Sequence, residues 1–283
     1  MASEMNGASV AQHGESELVL ATEHTRLSFS AQSDVGLVRT SNQDSFLATS
    51  PVYLVADGMG GHARGELASQ TVVRVFEEHI ESDLPSTPER ILDAIHSSND
   101  AVHDLSAADD VGSAVAGTTL AGVAIVDAGQ GTGLCWMAFN IGDSRVYTWD
   151  GALLTQLSVD HSAVQAMIDA GLLRQEDAEN WPERNVITRA IGLADHADAD
   201  VWLIPIDGRQ TFLICSDGLS NELSREEMSG ILAAFENGDA ANRSVAGSLI
   251  AEALVNAALA KRGRDNVTAI VVESLSRPIE VLA

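Results

Sequence analysis

Lysine is all but missing. Lys261 is the only one in 283 residues, and Arg262 follows it where a P-loop nucleotide site needs Ser or Thr, so that class is excluded. Basic side chains are scarce altogether: 16 Lys and Arg stand against 41 Asp and Glu, a formal net charge of −25. A protein that grips nucleic acid needs a cationic face to displace counterions, so the balance argues against that partner. Cysteine is limited to Cys135 and Cys215, both in apolar runs. Two cannot build a disulfide framework and read as buried, reduced thiols of a cytosolic protein. The eight histidines include no H-E-x-x-H and no Cys/His ligand pairing, which argues against a zinc hydrolase. No apolar run approaches the roughly 18 residues of a membrane span. The opening MASEMNGASVAQHGESE lacks the basic start and apolar core of a secretory signal. The expectation is a soluble, cytoplasmic chain without membrane association.

What is there suits a folded protein: 45% hydrophobic and 20% charged residues. No low-complexity linker divides the chain after Thr25, so one domain is expected over residues 25–275, with a flexible tail at 1–24 and another at 276–283. Strand-like runs fall at 27–32, 52–57, 119–126, 134–141, 145–149, 152–157, 201–206, 211–216 and 267–273. Helical spacing covers 65–82, where Ala68, Val72, Val75, Phe76 and Ile80 share a side. A second helix over 88–105 has Thr87 as N-cap and Pro88 at its first position. A helical stretch is expected near 161–172, and Ser224 with Glu227 forms a capping box for a later helix. A last helix over 244–262 carries Val245, Leu249, Ala253 and Leu254 as its apolar side. Strands cluster with strands and helices come in pairs, which points to an α+β fold with largely antiparallel sheets.

Most of the acidic excess reads as solvated surface. Five aspartates differ by position. Asp57 closes the run VYLVA and opens into Gly58, Asp217 closes TFLICS before Gly218, and Asp143 sits in a Gly-Asp-Ser turn between strands. Asp265 leads into VTAIVV, and Asp44 lies in a loop just before Phe46 and Leu47. Carboxylates at strand ends are held rigidly while their heads reach open space, and several converging on one rim repel unless cations bind between them. Oxygen donors without Cys or His favour Mg²⁺ or Mn²⁺ over Zn²⁺. Each Asp-Gly alone is an ordinary turn.

Their order is what carries information. The strings SDVGLVRTSNQDSF (33–46), VADGMGGHARGELAS (55–69), GTTLAGV (117–123), NIGDSRVY (140–147), VITRAIG (186–192), ICSDGLSNELS (214–224) and RDNVTAIVV (264–272) resemble the metal-dependent Ser/Thr protein phosphatases of the PPM (PP2C-type) family, bacterial branch. That resemblance implies a four-layer α-β-β-α sandwich, two antiparallel sheets flanked by helix pairs, with metals at one edge. It implies that Asp57 bridges two Mn²⁺ or Mg²⁺ ions, that the Gly58 carbonyl binds the second, and that Asp217 and Asp265 hold the first. Asp143, with Asp217, matches a third, weaker site. Asp44 matches an outer carboxylate that fixes metal-bound water, and Arg39 the arginine that grips substrate phosphate. Residues 161–185, including Trp181 and Pro182, correspond to the variable flap beside the active site. The implied activity is hydrolysis of phosphoserine and phosphothreonine in proteins by a monomeric enzyme that opposes a Ser/Thr kinase.

Two positions depart from the family pattern. Gln43 stands where a glutamate usually contacts the second metal through water, so weaker affinity there is expected. His62 is the candidate general acid, against a structural role, because Met59 occupies the place where family members with a histidine acid carry it. A cysteine-based phosphatase is rejected: the arginine it needs six places after the thiol is Asn221 when counted from Cys215. The rival of another class is a pseudophosphatase that binds phosphoproteins without turnover. Arg39, Asp57, Asp143, Asp217 and Asp265 argue against it, and Gln43 leans towards it.

Overall fold

The computed structural model describes residues 9–19, 23–60, 62–107, 116–129, 133–183, 186–236 and 249–278. In chain order the strands are β1 (Val10–Val19), β2 (Glu23–Asp34), β3 (Asp44–Thr49), β4 (Val52–Met59), β5 (Gly117–Thr118), β6 (Leu120–Asp127), β7 (Leu134–Ile141), β8 (Arg145–Trp149), β9 (Leu154–Gln156), β10 (Asp200–Pro205), β11 (Arg209–Cys215) and β12 (Val267–Pro278). The helices are α1 (His62–His79), α2 (Pro88–Ala107), α3 (Ala163–Asp169), α4 (Asp217–Ser220), α5 (Arg225–Glu236) and α6 (Ile250–Lys261). One sheet runs β1-β2-β12-β11-β8-β9 and the other β10-β7-β6-β4-β3, with β5 beside β4. Every strand pair is antiparallel.

Alternation along the strands builds the layers. On β4, Tyr53 and Val55 face the second sheet, whereas Leu54 and Ala56 face the helices. On β11, Phe212 and Ile214 enter the space between sheets, and Leu213 and Cys215 turn out against α4, α5 and α6. Three apolar layers result: helices α1 and α2 on one sheet, sheet on sheet, and the later helices on the other. The expected α-β-β-α sandwich is what the chain forms. Trp136 pins its middle, with Phe212 at 5.1 Å, Tyr53 at 6.4 Å and an indole N–H donated 3.1 Å to Ser274 of the opposite sheet. Neither Cys135 nor Cys215 forms a disulfide, and both are buried, as expected. Among the described residues no helix is long and apolar enough to cross a membrane.

Local signals set most boundaries. Arg90 N–H donates to Thr87 Oγ1 at 3.3 Å, and the capping box is reciprocal, Ser224 N–H to Glu227 Oε2 at 2.8 Å and Glu227 N–H to Ser224 Oγ at 3.3 Å. Three expectations need correction. Residues 10–19 are not a tail: β1 pairs along its whole length with β2, from Val10 opposite Ser33 to Val19 opposite His24. An edge strand needs backbone partners more than apolar side chains, and among the described β1 side chains Leu18 is buried in the inter-sheet core and Val10 only partly packed against it, so composition does not mark it. At the other end β12 runs through residues 276–278 before the described chain stops. The last helix buries Ile250, Ala251, Leu254, Val255 and Ala258, while Leu249 is exposed, so its apolar face is rotated from the expected one; Val245 lies outside the described residues.

Leu18→Ala tests whether β1 belongs to the fold. A cavity in the inter-sheet core should cost about 2–5 kcal/mol, read from the urea midpoint at unchanged m-value. A loss below about 0.5 kcal/mol would mark a detachable segment.

Candidate metal centre

Antiparallel alternation brings one end of each central strand to a common edge. Asp44 opens β3 directly opposite Asp57 near the end of β4, so both carboxylates lie on one face of the strand pair. Asp217 follows β11, Asp265 precedes β12, and Asp143 sits in the turn between β7 and β8. Asp44 is therefore a strand residue rather than a loop residue. It is buried, and the other four are half-buried.

Their mutual influence shows that they meet. Burial, then repulsion from Asp44, Asp217, Asp143 and Asp265, holds the Asp57 carboxyl well above the usual range. Burial and Asp265 raise Asp217, against a hydrogen bond with Asp57 that lowers it. Asp143 is pushed up to about 7 by burial, with repulsion from Asp217 and Asp160 adding to it and Arg145 opposing. Asp44 also reaches about 7, chiefly by burial, although Thr268 and Ser216 both donate to it.

Polar side chains hold the Asp44 and Asp217 carboxylates and fix the backbone beside Asp57, Asp143 and Asp265. Ser216 Oγ and Thr268 Oγ1 donate to Asp44 Oδ2 at 2.8 and 2.7 Å, and the same Ser216 hydroxyl accepts the Thr268 N–H at 3.0 Å. Asp57 N–H donates to Thr119 Oγ1 at 3.0 Å, and that hydroxyl lies 2.7 Å from Ser144 Oγ beside Asp143. Asn221 Nδ2 reaches Asp217 Oδ2 at 3.1 Å. Asn266 ties the Arg39 loop to the Asp265 loop: its amide donates to the carbonyls of Val35 and Ser41 at 2.9 and 3.0 Å and accepts the Gln43 N–H at 2.8 Å. Gly58 lets β4 touch α1, since a Cβ there would stand 2.0 Å from the Gly65 carbonyl oxygen. From the sequence Ser144 and Ser216 read only as turn or core residues, and Thr119, Thr268, Asn221 and Asn266 carry no individual signal. Their types are too common for spacing to mark them, although they lie inside the quoted strings.

Arg39 sits beside the cluster. Its Nη2 donates to Asp265 Oδ2 at 2.8 Å, and this bond, with Asp57 and Asp217 nearby, raises its pKa further. Gln43 stands at the same edge, its carbonyl accepting Gly58 N–H at 3.1 Å and Ser69 Oγ at 2.6 Å. His62 opens α1, but its side chain lies outside the described residues. The Cys215 thiol is pushed up to about 12 by burial, which removes it as a nucleophile.

The donor set fits hard divalent cations. It consists of carboxylates and a main-chain carbonyl, with Asp44 Oδ1 and Asp143 Oδ1 buried and without a hydrogen-bond partner. Among the described residues no three His, Cys, Asp or Glu side chains are placed to hold one metal ion together. Asp265 has both oxygens engaged, Oδ2 by Arg39 and Oδ1 by the Asn266 N–H at 2.9 Å, and Asp217 Oδ2 accepts from Asn221.

A family model described as protein phosphatase 2C matches residues 38–261. The chain belongs to the protein phosphatase 2C family. Serine/threonine protein phosphatase PstP of Mycobacterium tuberculosis is 34% identical over 250 residues, covering 87% of this chain and 45% of that protein, so the chain spans about half the length of this relative. Serine/threonine phosphatase stp of Listeria monocytogenes is 31% identical over 259 residues, covering 86% of this chain and 94% of that one. The crystal structure of the Mycobacterium tuberculosis phosphatase PstP/Ppp superimposes with a TM-score of 0.73 at 31% identity, covering 87% and 97% of the two chains. The catalytic domain of PstP in complex with two manganese ions gives 0.71 at 32% identity, covering 89% and 99%.

Two measurements probe the centre. In chelator, folded Asp44 and Asp143 keep their protons to about pH 7, whereas unfolded carboxyls lose them near pH 4. The folded state binds more protons across that window, so stability should fall as pH rises from about 4 to about 7. Mn²⁺ competes with those protons, so its shift in melting temperature should be larger at about pH 7.5 than at about pH 5; equal shifts would contradict the arrangement. Gln43→Glu adds a charge at the edge and should tighten Mn²⁺ binding by about three- to tenfold in calorimetric titration. Superimposable curves would refute the role given to this position.

Proposed function

We propose that the chain hydrolyses phosphoserine and phosphothreonine in proteins, in dependence on a pair of Mn²⁺ or Mg²⁺ ions. One observation carries the reading: an arginine able to grip phosphate, Arg39, is fastened to Asp265 beside a cluster of Asp44, Asp57, Asp143 and Asp217. Relatives named serine/threonine phosphatases, one of them described with two manganese ions, support it.

Asp57, Asp217, Asp265 and the Gly58 carbonyl would hold the two ions, and Asp143 with Asp217 a third. When bound, such a pair supplies the positive charge a phosphate dianion needs in so acidic a cluster, and an acidified water to attack phosphorus. The chain's own side chains do the rest. Arg39 is half-exposed, and with one donor on Asp265 its planar fork keeps donors for two phosphate oxygens. Asp44, fixed through Oδ2 by two hydroxyls, has Oδ1 free to accept from a water in the cluster and orient it. As the P–O bond to the serine or threonine oxygen breaks, that oxygen needs a proton, and His62 at the start of α1 is the group proposed to deliver it. The reading extends to a monomeric, cytoplasmic enzyme opposing a Ser/Thr kinase.

Purified protein with Mn²⁺ should hydrolyse an aryl phosphate and a phosphothreonine peptide. EDTA should stop both, and Asp57→Asn should reduce kcat/KM by about 10³-fold or more. Arg39→Ala should raise KM for the peptide by about tenfold or more with the fold intact. Absence of Mn²⁺-dependent turnover from folded protein would favour a phosphoprotein-binding module instead. In the source cell, deletion should raise phosphoserine and phosphothreonine levels; an unchanged phosphoproteome would count against the proposed partners.

A further inference from the structure

Two apolar side chains stand in water immediately before Arg39. Leu37 is 69% exposed and Val38 66%; among the described residues Leu172 is the only large hydrophobic more exposed than either. A single exposed leucine carries no information. These two differ because they are adjacent, because Arg39 follows them, and because the backbone beneath them is fastened at several points.

Residues 35–41 lie in the turn and loop between β2 and β3. Gly36 N–H donates to Asp34 Oδ1 at 2.8 Å, and Leu37 N–H donates to the Gly263 carbonyl at 2.7 Å. Asn266 Nδ2 holds the Val35 and Ser41 carbonyls on either side. Gly36 has φ +80, and a Cβ there would stand 2.1 Å from the Asp265 carbonyl oxygen, so the turn is pressed against the loop of Asp265. Leu37 leans over the end of α6, its Cγ 3.1 Å from where a Cβ on Gly263 would stand. Exposure of Leu37 and Val38 is therefore a property of a fixed backbone and not of a loose one.

Their place gives the exposure a use. Arg39 is bonded to Asp265, so a phosphoryl group on its remaining donors sits at this turn. A protein substrate must then run past it. An extended chain advances about 3.4 Å per residue, so side chains within about three residues of the phosphoresidue come within reach of Val38 and Leu37. We propose that Leu37 and Val38 form an apolar platform that receives a bulky apolar side chain of the substrate beside the phosphoserine or phosphothreonine. The proposal rests on the reading of Arg39 as the phosphate grip. The favoured substrates are phosphoprotein segments carrying Leu, Ile, Val, Met or Phe near the phosphoresidue, ahead of segments flanked by glycine or serine. Each methylene covered on the platform is worth about a fourfold gain in affinity, and a loop already ordered loses little of that gain on binding.

The test uses phosphothreonine peptides in a glycine-serine background, with one leucine moved through the three positions on each side. With Mn²⁺, wild type should hydrolyse at least one leucine peptide with kcat/KM about tenfold above the leucine-free parent, mostly through KM. In a double variant, Leu37→Ser with Val38→Ser, that ratio should fall to about one. Leu37→Met with Val38→Ile should keep it. A ratio taken within one protein is insensitive to general loss of activity. No preference in wild type, or a preference that survives the serine variant, overturns the proposal. If the double variant does not fold, Val38→Ser alone should lower the ratio by about threefold, and an unchanged ratio overturns the proposal. Turnover of an aryl phosphate, which has no flanking residues, judges the phosphatase reading separately. Should wild type turn over nothing, the same peptides bearing a non-hydrolysable phosphonate still test the platform by fluorescence anisotropy in Mn²⁺. The leucine peptide should bind about tenfold tighter to wild type and lose that margin in the serine variant; equal binding overturns the proposal.

Discussion

Crowding of like charge is the constraint on which the rest of this structure depends. Asp44, Asp57, Asp143 and Asp217 are all harder to ionise than free carboxyls, through burial first and then through the charges of neighbouring aspartates, Asp265 among them. A flexible chain would relieve such repulsion by moving the carboxylates apart. Here they cannot move, because each is anchored at or within a few residues of a strand end in one of two sheets whose shared core is tightly packed around Trp136. The strain persists as raised proton affinity, which is also affinity for divalent cations.

The second requirement is aim. Hydroxyls and amides meet it: Ser216 and Thr268 point Asp44, Thr119 joins the Asp57 backbone to Ser144 beside Asp143, and Asn266 fixes the loops of Arg39 and Asp265 to one another. These contacts span long stretches of chain, 224 residues between Thr268 and Asp44. Their geometry therefore depends on the sandwich being complete. The flap is built differently, as a short helix and a 3-10 turn (Gln175–Asn180) hung from a narrow base at His161 and Thr188.

Legibility in the sequence followed the range of the interaction. Helix α2 was readable from Thr87, Pro88 and a periodic apolar face, because capping and periodicity act over a few residues. Strands β7 and β8 were placed to the residue, since runs bounded by turn signals leave little choice. Strand β1 is not marked by composition because it packs little apolar surface, Leu18 and part of Val10, and its backbone pairing leaves no mark on residue type. The face of α6 was misjudged because alanine and leucine surround that helix and its phase is set by the sheet beneath. In the centre, the aspartates stood out by their places at strand ends. Ser216, Thr268, Thr119 and Asn266 did not, because their roles exist only once distant segments meet.

The sequence by itself determined which charges the chain carries, where its strands and helices nucleate, and which carboxylates stand at their ends. These are local matters, decided by side-chain type and spacing. The tertiary structure alone decided that β1 completes a sheet, that Asp44 and Asp57 face each other across two strands, and that Asn266 ties the loop of Arg39 to the loop of Asp265. Register and hydrogen-bond partnership between remote segments are properties of the packed whole, fixed when the two sheets close on their common core.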